Sequence, residues 1–326
     1  MRDLKSKILG AVRDDLEEID GALAEHLVPH FDLARDVAGH ILFSGGKRLR
    51  PLLMVLSARL CGYTGGKAAT FSIIFEYLHA ATLLHDDLVD EAGLRRGKPV
   101  ANSVWDNATA VLTGDFLLAR SLSIAAETEN IAVIRTIARI TEMMSQGEIQ
   151  QLNRKGDTAL TEEDYMEVIK CKTAVLFQGA CLTGALVAGR NAQDQQFLSD
   201  YGYNLGLAFQ MADDLLDYTL DSEALGKSVG ADLREGKLTL PVIHALGNAD
   251  SKDRRKMEEI IQNPDFSIAD FKTLIKFMKT YDGIRYTRKT AERYVEKAKS
   301  CLAEFKSSET KETLCNIADY ALARKL

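Results

Sequence analysis

The 326-residue sequence predicts an all-α chain folded as a single large helical bundle around a central cavity. Three observations predict it. Apolar residues recur at three- and four-residue steps along nearly the whole chain. No stretch shows sustained period-two alternation between turn signals, so a sheet is not expected. Aspartate-rich clusters occur in each half, with no Gly/Ser- or Pro-rich linker and no repeat of about 20 to 50 residues. Residues 1–326 therefore read as one domain whose halves act together, in the way bundles build metal sites from facing side chains.

Only five prolines occur, Pro29, Pro51, Pro99, Pro241 and Pro264, each beside a polar or Gly-rich stretch that already suggests a boundary. Between them the periodicity predicts helices over 3–26, 31–43, 51–62, 68–91, 103–127, 131–152, 162–190, 194–220, 238–247, 252–263, 266–281, 284–304 and 308–324. Thr161 with Asp164 forms a capping-box-like pair, whereas Ser251 with Arg254 does not. The stretch from Thr173 to Gly189 carries no charge, but it is at the lower edge of the roughly 17 to 25 residues a span requires and contains Gln178, Thr183 and three glycines. It reads as a buried helix with close neighbours, not a transmembrane segment.

The composition, 46% hydrophobic and 27% charged, is that of a soluble globular protein. A formal net charge of -6, with basic residues spread among acidic ones, gives no support for nucleic-acid binding. Five widely spaced cysteines form no CxxC or Cys/His cluster; their odd number suits a reducing compartment better than a disulfide framework. The N-terminal stretch mixes acidic and basic residues without an apolar run, so no signal peptide is expected and a cytoplasmic location is.

The chemistry concentrates in HAATLLHDDLVDEAGLRRGKP, His79 to Pro99. Phe71, Ile74, Phe75, Leu78 and Thr82 lie at helical steps before it, and on that helix Asp86 and Asp90 share a face one turn apart, flanked by Asp87. Like charges so spaced cost roughly 0.2 to 0.5 kcal/mol per pair unless neutralised. Carboxylates without nearby Cys or clustered His favour a hard cation, and Mg2+ is usually held by one or two carboxylates plus substrate phosphates. An exposed acidic helix end accounts for one such cluster equally well. The pattern recurs, however, at Asp213, Asp214 and Asp217 after the apolar run Leu205 to Ala212, with Asp213, Asp217 and Asp221 again spaced by four.

Basic residues accompany both clusters. In SGGKRLRP, Ser44 to Pro51, two glycines allow a tight turn, Pro51 suits a first helical position, and Lys47, Arg48 and Arg50 bring positive charge to a helix start. That is a phosphate seat or an ordinary glycine cap with solvated cations. Arg95 and Arg96 follow Asp90 in a Gly93 to Gly97 loop, placed for salt bridges or for bidentate grip on phosphate. His79, two turns before Asp86, lies on the same helix face. Taken singly, Lys172, Thr173, Gln210, Lys227 and Lys237 read as surface residues.

Together, GGKRLRP, HDDLVDEAGLRRGKP, the KT at Lys172–Thr173, FQMADDLLD and GKSVGADLREGKLTLP, in this order, resemble the trans (all-E) polyprenyl diphosphate synthases, which include the farnesyl, geranylgeranyl and octaprenyl enzymes. The resemblance spans about residues 20 to 325, is closest in pattern to the octaprenyl enzymes, and implies the all-α isoprenoid synthase fold, usually as a homodimer. It implies Mg2+-dependent 1'-4 condensation of isopentenyl diphosphate with an allylic diphosphate primer. Matched motif by motif, Asp86, Asp87, Asp90, Asp213, Asp214 and Asp217 would hold about three Mg2+ ions, directly or through water. Arg95, Lys172, Thr173, Gln210, Lys227 and Lys237 would bind the allylic diphosphate, and Lys47, Arg50, His79 and Arg96 the isopentenyl diphosphate. Catalysis would fall to Asp86, Asp90, Lys172, Lys227 and Lys237, with the departed diphosphate as the base.

In such enzymes the residues five and four before the first aspartate face the cavity and set product length. Here they are Ala81 and Thr82, both small, which implies a medium or long product of the hexaprenyl to decaprenyl kind, suited to quinone side chains; Met143, Met144 or Phe116 would form the floor. Rival readings are a short-chain farnesyl or geranylgeranyl synthase, a non-catalytic subunit of a heteromeric synthase, a terpene cyclase, and a purely structural helical protein. Retention of both aspartate clusters argues against the silent subunit. A DDLLD second motif together with GGKRLRP argues against the cyclase, and the motif-matched cations argue against a structural role.

Overall fold

The computed structural model describes residues 2–95, 97–219, 230–263 and 265–323. It is an all-α bundle. Two N-terminal helices, α1 (Arg2–Ala11) and α2 (Arg13–His26), lead into α3 (Asp32–Leu42), α4 (Leu49–Leu60) and the long α5 (Ala68–Val89). A two-residue hairpin, β1 (Leu94–Arg95) with β2 (Lys98–Pro99), precedes α6 (Ala101–Val104), α7 (Asn107–Glu127) and α8 (Ile131–Asn153). Then come α9 (Glu162–Ile169), a π turn (Lys170–Ala174), α10 (Val175–Val187), α11 (Ala192–Thr219) and the short α12 (Ala231–Arg234). The last helices are α13 (Leu240–Asn248), α14 (Ser251–Ile261), α15 (Ile268–Thr280), α16 (Gly283–Cys301) and α17 (Glu309–Ala323).

The larger apolar core draws on α4, α5, α7, α10 and α11, where Phe75, Tyr77, Phe177 and Tyr201 are fully enclosed. A second cluster, with Tyr165, Met211, Tyr218, Leu240, Phe271 and Met278, lies beneath the C-terminal half of α11. Helices α10 and α11 meet backbone to backbone through glycine. A Cβ on Gly202 would lie 2.5 Å from the Phe177 carbonyl oxygen, and one on Gly206 would lie 2.6 Å from the Ala174 Cα. These contacts hold the π turn with Thr173, and α10 after it, close against α11, which carries Gln210.

Five local expectations need correction. The loop after Asp90 is a minimal antiparallel hairpin, pairing Leu94 with Pro99 and Arg95 with Lys98. Two-residue strands are too short to show alternation. The first helix is interrupted at Val12, the helix expected over 103–127 is broken at Trp105 and Asp106 between α6 and α7, and the helix expected over 162–190 is divided by the π turn. Pro51 occupies the third helical position, not the first, because α4 starts at Leu49 behind Arg48 in the left-handed region, φ 47°. The capping box of Thr161 and Asp164 is present at the start of α9.

Among the described residues one helix, α7, is long and apolar enough by composition to cross a membrane. Its inner face, with Ala110, Thr113, Leu117, Ser121 and Ile124, is buried, while Val111, Leu112 and Leu122 on its outer face are exposed. The charge-free stretch 173–189 holds instead the end of the π turn and α10, most of whose side chains are buried.

Candidate active site

The end of α5 presents the first acidic motif. Asp90 caps the helix, its N–H bonded to the Asp86 carbonyl at 2.8 Å, so the two aspartates stay on one face past the last turn. Asp87 turns inward and is 3% exposed; the Arg95 guanidinium from the hairpin donates to its Oδ1 through Nε and Nη2, both at 2.7 Å. Arg95 is thereby committed to Asp87 in this state. Burial pushes the Asp86 carboxyl up to about 6, with Glu148 and Asp90 adding to it and Lys172 and Arg95 opposing.

The second motif, at the end of α11, is likewise split. Asp213 is exposed, whereas Asp214 is 5% exposed and accepts from Tyr165 Oη at 2.6 Å and from Gln210 Nε2 at 2.8 Å. Burial, with Asp232 and Asp213 nearby, pushes Asp214 up to about 8 against the pull of those two hydrogen bonds. Asp217 Oδ1 accepts from the Gly230 N–H at 3.2 Å. A helix turns about 100° per residue, so the two adjacent aspartates of each motif meet different surroundings, and the more buried one must be satisfied by protein donors.

Cations gather between the first motif and the cavity beside the second. Lys237 Nζ bonds Asp90 Oδ2 and Glu235 Oε2, each at 2.7 Å, and Lys155 stands 3.6 Å from Asp90 Oδ1. Burial alone would raise the Asp90 carboxyl, but the Lys237 hydrogen bond and charge, with Lys172 and Lys155, hold it below the usual carboxylate range. Lys172, in the π turn, pairs with Glu148 at 2.7 Å and donates to Gln151 Oε1 at 3.1 Å. Its charge acts on Asp86 and Asp90 of the first motif and on Asp232 beside the second. Thr173 Oγ1 donates to Gln210 Oε1 at 2.6 Å. A cavity of about 100 Å3 is lined by Gln151, Lys172, Thr173, Gln210, Asp214 and Lys237, among others.

The three cations around the start of α4 behave differently. Arg48 is buried as a strut, bonded to Glu76 of α5 and Asp20 of α2, both at 2.8 Å. Lys47 is exposed, with Nζ 5.6 Å from the Tyr320 ring centroid, and Arg50 lies 4.9 Å over Phe177, which itself packs on Phe209 beside Gln210. His79 is half-buried on α5, its carbonyl accepting from Thr82 Oγ1. Ala81 is buried in the apolar core cluster that also takes in Phe116, Met143 and Met144. Arg96, Asp221 and Lys227 lie outside the described residues.

Sequence reasoning passed over Tyr165, Glu148, Gln151, Lys155, Asp232 and Glu235. All partner residues it had named, across sequence gaps that no local pattern bridges; only GADLREGK, within a quoted motif, marked Asp232 and Glu235. Among the described residues no three carboxylate, His or Cys groups converge closely enough to hold a metal by themselves. An all-oxygen donor set whose charge is incompletely balanced, as at Asp86 beside Glu148 and Asp90, fits Mg2+ that arrives with phosphate ligands of its own.

Comparison with known proteins agrees with this geometry. The octaprenyl diphosphate synthase of Escherichia coli (strain K12) is 36% identical over 318 residues, covering 98% of each chain. An all-trans-nonaprenyl-diphosphate synthase (geranyl-diphosphate specific) of Rhodobacter capsulatus is 36% identical, covering 99% of this chain and 98% of its own. Among solved structures, a polyprenyl synthase from Caulobacter crescentus CB15, complexed with calcium and isoprenyl diphosphate, superposes with a TM-score of 0.92 at 37% identity, covering 98% of both chains. The family model described as Polyprenyl synthetase matches residues 32–278. This chain belongs to the polyprenyl synthetase family of prenyltransferases, and its bundle is the isoprenoid synthase fold.

Proposed function

We propose that this prenyltransferase condenses isopentenyl diphosphate with an allylic diphosphate, head to tail, and extends it to a medium or long polyprenyl diphosphate of the hexaprenyl to decaprenyl kind, for a quinone side chain. The observation that carries the reading is geometric: Lys237 bonds Asp90 of the first motif, and Lys237 and Lys172 line one cavity with Asp214 of the second. Bound Mg2+, about three ions, would supply positive charge to the diphosphate as its carbon–oxygen bond breaks. Asp86, Asp90, Asp213 and Asp217 would hold it.

The protein's own part is preorganisation. Lys172, Lys227 and Lys237, with Thr173 and Gln210, grip the allylic diphosphate and stabilise the charge it gains on leaving. Glu235 orients Lys237 at 2.7 Å, and Lys237 would donate to phosphate oxygen where Asp90 holds metal. Lys47, Arg50, His79 and Arg96 hold isopentenyl diphosphate so that its double bond meets the allylic cation, and the departed diphosphate takes the final proton. Ala81, though buried in the apolar core, and Thr82 are small side chains that would let the growing chain pass below Asp86. A second copy of the chain covers the outer face of α7, where Val111, Leu112, Ala119 and Leu122 are exposed around Asp115.

Incubation of the pure protein with Mg2+, labelled isopentenyl diphosphate and farnesyl diphosphate, followed by dephosphorylation and chromatographic sizing, tests this. A ladder ending at one long polyprenol is expected. Products that stop at fifteen or twenty carbons overturn the length assignment, and absence of incorporation with every allylic primer overturns the reaction.

A further inference from the structure

We propose that Tyr165 is a positioning residue for the allylic diphosphate subsite, acting through Asp214 on Gln210 and thence on Thr173; the inference rests on the prenyltransferase reading above. The four side chains form one hydrogen-bonded line: Tyr165 Oη to Asp214 Oδ2 at 2.6 Å, Gln210 Nε2 to Asp214 Oδ1 at 2.8 Å, Thr173 Oγ1 to Gln210 Oε1 at 2.6 Å. Tyr165 occupies one carboxyl oxygen of Asp214 and so leaves the other to face Gln210. With that oxygen fixed, the amide has one arrangement, nitrogen towards Asp214 and oxygen towards Thr173, and both Gln210 and Thr173 border the cavity. Without the hydroxyl the carboxyl group is free to turn, and Gln210 loses a stationary partner.

The surroundings of Tyr165 serve the same end. Helix α9 is eight residues long, yet it is tied at both flanks. Arg154 from α8 donates to Asp164 at 2.6 Å, and Tyr286 from α16 donates to Glu162 at 2.8 Å. Tyr165 is 3% exposed, within the apolar cluster that also holds Met211 and Tyr218. A phenol enclosed among apolar side chains, with its hydroxyl spent on a carboxyl group at the cavity, is an arrangement that fixes direction. Packing alone would be served equally by phenylalanine.

That difference supplies the test. Tyr165→Phe keeps the ring and removes the hydroxyl. It is expected to lower kcat/KM for the allylic diphosphate about tenfold, as for one lost hydrogen bond to a carboxyl group, while KM for isopentenyl diphosphate stays unchanged; the melting temperature falls as well, because a buried carboxyl oxygen loses its partner. In a Gln210→Met background the same change should cost less than about twofold, because residues acting in one chain are not additive. Equal losses in both backgrounds, or a melting temperature that falls while the kinetics stay intact, would make Tyr165 a purely structural residue and overturn the inference. A wild type that turns over both diphosphates, with Tyr165→Phe indistinguishable from it, overturns this inference alone. A wild type without turnover overturns the reading beneath it.

Discussion

Glu76→Ala probes how the basic loop before α4 is held. Arg48 and Glu76 have side chains only 8% and 9% exposed, bonded at 2.8 Å, and the second partner of Arg48, Asp20, is 56% exposed. Burial works against the guanidinium charge, but Asp20 and Glu76 together hold its proton above the usual range. Removing one member of a buried ion pair costs about 3 to 5 kcal/mol, because the remaining charge is stranded. Asp20 survives in the variant, so the lower end applies, about 3 kcal/mol. Glu76→Gln, which keeps the shape and one acceptor, should lose about half of that. Equilibrium urea unfolding reads the difference. A kinetic consequence follows from position: Arg48 lies between Lys47 and Arg50 with a left-handed backbone, so a loosened strut should raise KM for isopentenyl diphosphate several-fold and spare the allylic substrate. A loss below about 1 kcal/mol, the range of an exposed pair, with both KM values unchanged, would refute the reasoning.

Three further outcomes are expected. Ala81→Phe places a ring about 7.5 Å, five residues of helix rise, below Asp86; product analysis should show chains capped at fifteen or twenty carbons, and an unshortened ladder sinks the cavity account. Burial lowers the proton affinity of His244, stacked at 3.9 Å on Tyr286, with Glu162 and Asp282 opposing. Its folded-state value lies below the unfolded 6.5, so stability is full above that pH and declines as pH falls through the folded value. His244→Phe should flatten that decline in thermal melts between pH 7 and 5, and an unaltered slope counts against it. Leu112→Glu, on the outer face of α7, should yield a monomer by analytical ultracentrifugation; an intact dimer moves the interface elsewhere.

Much of the architecture was legible because helices here announce themselves. Period, proline placement and the Thr161–Asp164 cap located every long helix to within a few residues, and the second capping box, Ser267 with Asp270, was equally visible though not singled out. What escaped had no local signature. A break at Val12 leaves the periodicity nearly intact, and a hairpin of two-residue strands cannot alternate. The candidate site divides in the same way. Motifs brought Asp86, Asp90, Lys172, Gln210 and Lys237 to notice, and the structure sets Lys172, Gln210 and Lys237 on one cavity with Lys237 bonded to Asp90. They were silent on which aspartate of each pair faces inward, since that depends on helix rotation against a core assembled from distant segments. Asp87 and Asp214 accordingly bond to protein donors, Arg95 in one case and Tyr165 with Gln210 in the other.

The π turn at Lys170–Ala174 amounts to one surplus residue spliced into a long helix. Such a bulge weakens the hydrogen-bond ladder and persists where function holds it. Deleting Cys171 would restore regular winding, and by backbone criteria alone the helix would improve. Yet everything on its N-terminal side would turn by about 100° relative to α10, swinging Tyr165 away from Asp214 while Thr173 stayed where it is. The phase difference between Tyr165 and Thr173 is thus stored in a single amino acid, and a lineage that lost it would gain a smoother helix around a disassembled site.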